Sequence, residues 1–163
     1  MLSHSFFVSH KPDFYNFYRK KMIALDAKPN RAHTKLAELE AAGKLDAVVT
    51  QNIDGLHQIA GSKNVFELHG SVHRNVCQRC GKTYDAKWIM AREHEDAQGV
   101  PICPLCRGEI KPDVVLYEEP LDDNVVNGAV DAIAHAGMLI IGGTSLVVYP
   151  AAGLTRFLTG TSS

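Results

Sequence analysis

Two C-x-x-C pairs, Cys77 with Cys80 and Cys103 with Cys106, constrain this 163-residue chain more than any other feature, and they use every cysteine it has. Each knuckle can present two thiolates to one tetrahedral Zn2+. Residues 81–102 separate the knuckles, a tolerable length because loop-closure entropy grows slowly. Four thiolates leave no open coordination position, so one structural zinc is expected rather than a catalytic metal. Gly81 and Gly108 follow the knuckles closely and are expected to permit tight turns. Two disulfides or a thioredoxin-type redox pair are the competing readings. A reducing location opposes the first, and two matched knuckles oppose the second.

Composition bears on partners. The chain is 45% hydrophobic and 21% charged, close to globular averages, and its length suits one domain with room for a small insertion. Its net charge of -1 gives no sign of a globally basic nucleic-acid binder. Arg74, Arg79, Lys82, Lys87, Arg92, Arg107 and Lys111 make the cysteine region locally basic. Their expected task is to offset the anionic tetrathiolate, since only Tyr84 and Trp88 supply aromatics nearby. No apolar run approaches bilayer length, and residues 1–15 lack the apolar core of a signal peptide. Neither a membrane nor a nucleic-acid partner is expected, and the expected location is the cytoplasm, where thiols stay reduced.

An α/β pattern surrounds the cysteine segment. Asn30 offers an N-cap to a helix carrying Ala32, Leu36 and Leu39, which Gly43 stops. Residues 47–50 predict a short buried strand; 113–117 and 138–141 predict two more. Asp122 predicts the cap of a helix with Val126, Val130 and Ile133 on one face, and residues 93–99 predict a loop. Strands alternating with helices argue for a parallel sheet with right-handed crossovers. In such sheets ligands bind beyond the carboxyl ends of strands. One such end carries Gln51, Asn52, Ile53 and Asp54, whose amides and carboxylate suit sugar hydroxyls and a carboxamide. Another carries Gly143, Thr144 and Ser145, where a glycine admits a ligand to the backbone and two hydroxyls can bond it. Turn chemistry explains either cluster singly. Together, at two strand ends, they favour a nucleotide site.

The run T-Q-N-I-D-G-L-H (50–57), then E-L-H-G (67–70), the two C-x-x-C pairs, K-P-D-V-V (111–115) and G-T-S-L-V-V-Y-P (143–150) resemble the motifs of the sirtuins, NAD-dependent protein lysine deacylases, in the family's order. The resemblance implies a partial Rossmann-like parallel sheet with an inserted four-cysteine zinc-ribbon module. Residues 75–111 would form that module. Residues 1–74 and 112–163 would form the NAD-binding domain, with a helical part near the N-terminus. Carried over by position, Gln51, Asn52, Ile53 and Asp54 would line the nicotinamide and ribose site, and Gly143, Thr144 and Ser145 would also contact NAD. Val114, Val115 and Leu116 would be the edge to which an acetyl-lysine peptide adds as a strand. His69 would be the catalytic general base on a ribose hydroxyl, a role suited to a group titrating near neutrality. Of the remaining histidines, His33 is expected to pack on its helix, and His10, His94 and His135 to sit at surfaces or helix ends.

The chain also departs from the family. Residues 1–42 contain no glycine, so the family's G-A-G-x-S phosphate turn and G-I-P-D-F-R segment have no counterpart there. After Pro150 come only a short helical stretch, 151–158, and a Gly-Thr-Ser-Ser tail. The resemblance therefore implies an incomplete catalytic domain, with NAD expected to bind weakly to the chain as given. Desuccinylating members carry a Tyr-x-x-Arg pair; here the stretch reads Phe14-Tyr15-Asn16-Phe17-Tyr18-Arg19, an incomplete match that favours acetyl-lysine. A non-catalytic zinc-ribbon protein that binds a macromolecule is the alternative, and NAD-dependent nicotinamide release separates the two.

Overall fold

A computed structural model describes residues 1–159; the Gly-Thr-Ser-Ser tail at 160–163 lies outside the described residues. Helices α1 (His4–Ser9) and α2 (Lys11–Phe17) lead into a π-helical turn (Tyr18–Met22). Then come α3 (Arg31–Ala41), β1 (Val48–Thr50), α4 (Leu56–Ile59), β2 (Val65–Glu67) and β3 (Gly70–Cys77). Strand β4 (Thr83–Tyr84), α5 (Ala86–Ala91), β5 (Ile110–Val114), α6 (Asp123–His135) and a 3-10 helix (Ala151–Phe157) complete the order. The chain divides into two compact units. One holds Met1–Lys28, Asn52–Gly55 and His69–Pro120; the other holds Pro29–Gln51, Leu56–Leu68 and Leu121–Ser163.

The second unit contains the parallel pair. Strands β1 and β2 lie in parallel register, Val48 opposite Val65 and Thr50 opposite Glu67, with α4 in the crossover between them. Asn30 caps α3 as expected, its Oδ1 accepting the Ala32 and His33 N–H groups at 2.9 and 3.2 Å. His33 completes a capping box by accepting the Asn30 N–H at Nδ1, 3.2 Å away, so it serves the helix end rather than the helix body. Asp122 caps α6 by accepting the Asn124 and Val125 N–H groups at 2.8 and 3.1 Å. Gly128 lets that helix meet β2, since a Cβ there would fall 2.4 Å from Cε1 of Phe66. Leu68, Ala129, Ile133, Ala151 and Leu154 form the core. The strand expected at 138–141 is not formed: Met138 and Ile140 are 76% and 81% exposed. A strand exists only by pairing, and among the described residues none pairs with this run.

The first unit is built on an antiparallel sheet ordered β4-β3-β5. The strand expected at 113–117 is displaced: pairing runs over Ile110–Val114, and beyond it Tyr117 forms an isolated parallel bridge with Ser3. The cysteine segment 75–111 falls wholly in this unit, with the N-terminal helices as its partners. Their shared core includes Phe7, Phe14, Tyr15, Tyr18, Cys77, Ile89, Cys103 and Ile110. Tyr15 and Tyr18 have no solvent exposure. Tyr15 donates its hydroxyl to the Ile110 carbonyl, and Tyr18 donates to Val72 O and Asn75 Oδ1 at 3.3 and 3.0 Å. Burial pushes both phenols well above their ordinary range, which keeps them donors. Arg19 donates Nε to Ile89 O at 3.2 Å and Nη1 to Gly99 O at 3.1 Å, and pairs with Glu95. The stretch that matches the Tyr-x-x-Arg pair only incompletely is therefore engaged in fastening α2 and its π-helical turn to the cysteine segment.

Candidate functional site

The two cysteine knuckles are the same turn used twice. Gly81 N–H donates to Cys77 O at 3.0 Å and Cys77 N–H to Lys82 O at 2.9 Å; Arg107 N–H donates to Cys103 O at 2.9 Å and Cys103 N–H to Gly108 O at 2.8 Å. In each turn the residue four beyond the first cysteine is left-handed: Gly81 at φ +72° and Arg107 at φ +62°. The expectation that both glycines serve the turn thus holds for Gly81 only. Gly108 provides room, because a Cβ there would lie 2.9 Å from Cys77 Sγ and 3.3 Å from Cys106 Sγ. All four sulfurs lie within 4.8 Å of one another, with Cys77–Cys106 at 3.4 Å and Cys80–Cys103 at 3.8 Å. A tetrahedron of Zn–S bonds about 2.3 Å long has edges of about 3.8 Å, whereas a disulfide requires about 2.05 Å. The spacing fits one tetrathiolate zinc and no disulfide.

The donor chemistry agrees. Burial acts against the Cys103 thiolate, but the Tyr84 hydroxyl and the Cys106 and Leu105 N–H groups prevail and bring it to about 6. At Cys106 the Gly108 N–H favours the thiolate, yet burial and the three neighbouring thiols push it up to about 12. Four thiols this close cannot all ionise without a compensating cation, and a divalent metal supplies that charge.

His69 stands in the turn between β2 and β3, half-buried. Its carbonyl accepts the Val115 N–H at 3.0 Å. Gly70, the next residue, has φ +74°, and a Cβ on it would fall 2.0 Å from the Asp113 carbonyl oxygen. Only glycine lets the start of β3 press on the β5 backbone so closely, and that contact fixes where His69 emerges. A second histidine orders the polar run: His73 Nε2 lies 2.9 Å from Asp54 O, and its ring occupies the space a Cβ on Gly55 would need, 2.8 Å from Cδ2. The Val72 N–H bonds Ile53 O at 3.0 Å. Thus β3 holds Ile53 and Asp54 through their carbonyls. Sequence reasoning passed over His73, Gly55 and Gly70; the glycines inside the D-G and H-G motifs were the available signal.

The other expected site residues fall as follows. Gln51, half-buried, directly follows β1, and Asn52 is exposed. Gly143, Thr144 and Ser145 are exposed; Gly143 has φ +68°, and Thr144 Oγ1 accepts the Leu146 N–H at 3.2 Å in a local turn. At the expected peptide edge, Val114 to Leu116, backbone donors are already engaged. Val114 and Leu116 are buried, the Val115 N–H is bonded to His69 O, and the Leu116 N–H is bonded to Glu119 Oε2 at 2.9 Å. Tyr117 exchanges backbone bonds with Leu2 and His4, each at 2.9 Å. Neither Val115 nor Leu116 keeps an N–H for an added strand in this conformation.

Residues 1–150 match the Sir2 family. A protein of Clostridium acetobutylicum named NAD-dependent protein deacetylase is 60% identical over 160 residues, which cover 98% of this chain and 64% of the relative. A Clostridium perfringens protein of the same name is 62% identical over 157 residues, or 96% of this chain and 62% of the relative. The chain thus spans less than two thirds of the length of these curated relatives. Among solved structures, a Sir2 complex with p53 peptide and NAD+ superposes with a TM-score of 0.90 at 42% identity, covering 97% of this chain and 65% of the other. A Sir2 protein bound to acetylated peptide gives a TM-score of 0.90 at 41% identity, covering 96% and 66%.

Proposed function

The chain belongs to the Sir2 family, and on that premise we propose that it carries the catalytic core of an NAD-dependent protein lysine deacetylase. The supporting observation is the H-G turn: an imidazole whose backbone is bonded to Val115 and whose neighbour, Gly70, lies against β5. A general base must be held still beside its proton, and this turn holds one. Nicotinamide leaves NAD, and the acyl oxygen of the lysine amide attacks the exposed ribose carbon. His69 takes the proton of a ribose hydroxyl, so the acyl group passes to the sugar. The lysine amine then leaves and one water adds at the sugar-bridged acyl carbon, so free lysine, nicotinamide and O-acyl-ADP-ribose result.

Gln51, Asn52, Ile53 and Asp54 are the proposed nicotinamide and ribose contacts; the position of Gln51 just beyond the carboxyl end of β1 supports this. Gly143, Thr144 and Ser145 are proposed as further cofactor contacts, supported by the left-handed Gly143 and by exposed hydroxyls. The acetylated peptide is proposed to dock along residues 114–116, chiefly through their carbonyls, with Val115 and Leu116 N–H groups already engaged. Among the described residues no helix is long and apolar enough to cross a membrane. A cytoplasmic location is proposed from the reduced state that a tetrathiolate requires. Residues 75–111 are proposed as the zinc-binding module. Its metal is structural, because four thiolates fill the coordination sphere.

Nicotinamide release from NAD, measured with and without an acetyl-lysine peptide, tests the activity. Release that requires the peptide is expected, and His69→Ala should lose the formation of free lysine and O-acyl-ADP-ribose that follows it. Peptide-independent release would remove the deacetylase reading, and undiminished O-acyl-ADP-ribose formation in that variant would remove His69 from the mechanism. The alternative, a non-catalytic zinc ribbon, accounts for the cysteines but leaves the H-G turn without a use.

A further inference from the structure

Tyr84 has no part in the proposed acyl transfer, yet its hydroxyl reaches the metal centre. The sheet puts it there. Tyr84 stands opposite Asn75 in the β3–β4 ladder, and its carbonyl accepts the side chain of the fully buried Asn75 at 3.3 Å. Its ring packs on Trp88 with centroids 4.2 Å apart, and Trp88 stacks on His94 at 5.1 Å. Backbone and ring are therefore both fixed, and Tyr84 Oη lies 3.0 Å from Cys103 Sγ. A metal-bound thiolate has no proton to give, so in that pair the phenol is the donor.

The four sulfurs are not equivalent. Cys80 is exposed and Cys106 half-buried, whereas Cys77 and Cys103 are 1% and 0% exposed. Water can solvate the first pair; the second depends on protein donors. Cys77 has the Arg79 N–H at 3.5 Å. We infer that Tyr84 is a positioning residue for the zinc: its hydroxyl donates to the buried Cys103 thiolate, orients that sulfur towards the metal and offsets its charge.

Outer partners of this kind are worth about 10–100-fold in metal affinity. Tyr84→Phe keeps the ring on Trp88 and removes only the donor. Chelator competition should show zinc bound roughly 10–100-fold more weakly in that variant. In the cobalt-substituted protein the thiolate-to-metal charge-transfer band should move to lower energy, because an unbonded thiolate is the better electron donor. Trp88→Phe, which loosens the packing and spares the hydroxyl, should lower the melting temperature while leaving that band in place. If Tyr84→Phe does not fold, 3-fluorotyrosine at position 84 supplies the reciprocal test, since a stronger donor should move the band to higher energy. Zinc affinity within about 3-fold of the parent together with an unmoved cobalt band in Tyr84→Phe, or an unmoved band with fluorotyrosine, would overturn the role.

Discussion

Gly70→Ala should be among the most damaging single-methyl additions to this chain, and its cost can be worked from the H-G turn. The residue sits at φ +74°, where an L side chain costs about 1–2 kcal/mol. The new Cβ would lie 2.0 Å from Asp113 O and 2.9 Å from Asp113 C, and neither is a side chain that can swing aside. Carbon–oxygen contacts relax only at about 3.3 Å, so the start of β3 must withdraw from β5 by roughly 1.3 Å. The bond from Val115 N–H to His69 O, now 3.0 Å, would then stretch beyond hydrogen-bonding range. Losing it beside buried Val114 and Leu116 costs about 1–3 kcal/mol more, for a total of about 2–5 kcal/mol. Gly81→Ala is the control: it has φ +72° in the same unit, with nothing within 4 Å of the added carbon. It should show only the conformational part, about 1–2 kcal/mol. Urea unfolding followed by Trp88, the chain's one tryptophan, compares them, and hydrogen exchange at the Val115 amide reports the broken bond. The reasoning fails if Gly70→Ala costs no more than Gly81→Ala, or if Val115 exchange is unchanged.

Cys77→Ser should release the zinc and unfold the antiparallel unit, because Cys77 is both a ligand and a core residue and structural zinc binding is folding energy; metal analysis and circular dichroism would read it. His69→Ala should lower deacetylation by roughly 10²–10⁴-fold with zinc content unchanged, as expected for a removed general base. Glu119 gives a pH signature. Burial opposes its charge, but the Leu116 N–H, His4 and Lys111 prevail and hold its carboxyl below the ordinary range. A depressed folded-state pKa stabilises above the unfolded value and is lost as pH falls through the folded one. Glu119→Gln should therefore lower the melting temperature at pH 7, and the gap to the parent should close as pH drops below about 4.

Features carried by local chemistry were legible in the sequence. The N-caps at Asn30 and Asp122, the stop at Gly43 and the short strand ending at Thr50 need only a few neighbouring residues, and each formed where the pattern put it. The metal site was legible too, since C-x-x-C spacing makes each half of it within one turn. Where two distant segments had to meet, the sequence was silent. Nothing local says that Arg107 rather than Gly108 takes the left-handed position, because Gly108 is needed as space for sulfurs supplied by both knuckles. Nothing local distinguishes Asn75, 0% exposed and bonded to Tyr18, Val72 and Tyr84, from a surface asparagine. Residues 138–141 are apolar enough for a strand, but pairing is a property of two segments. Composition and periodicity determined which elements could form and which residues could bind metal. Tertiary contact decided which backbone groups were already engaged, and so which faces of those elements remain open to chemistry.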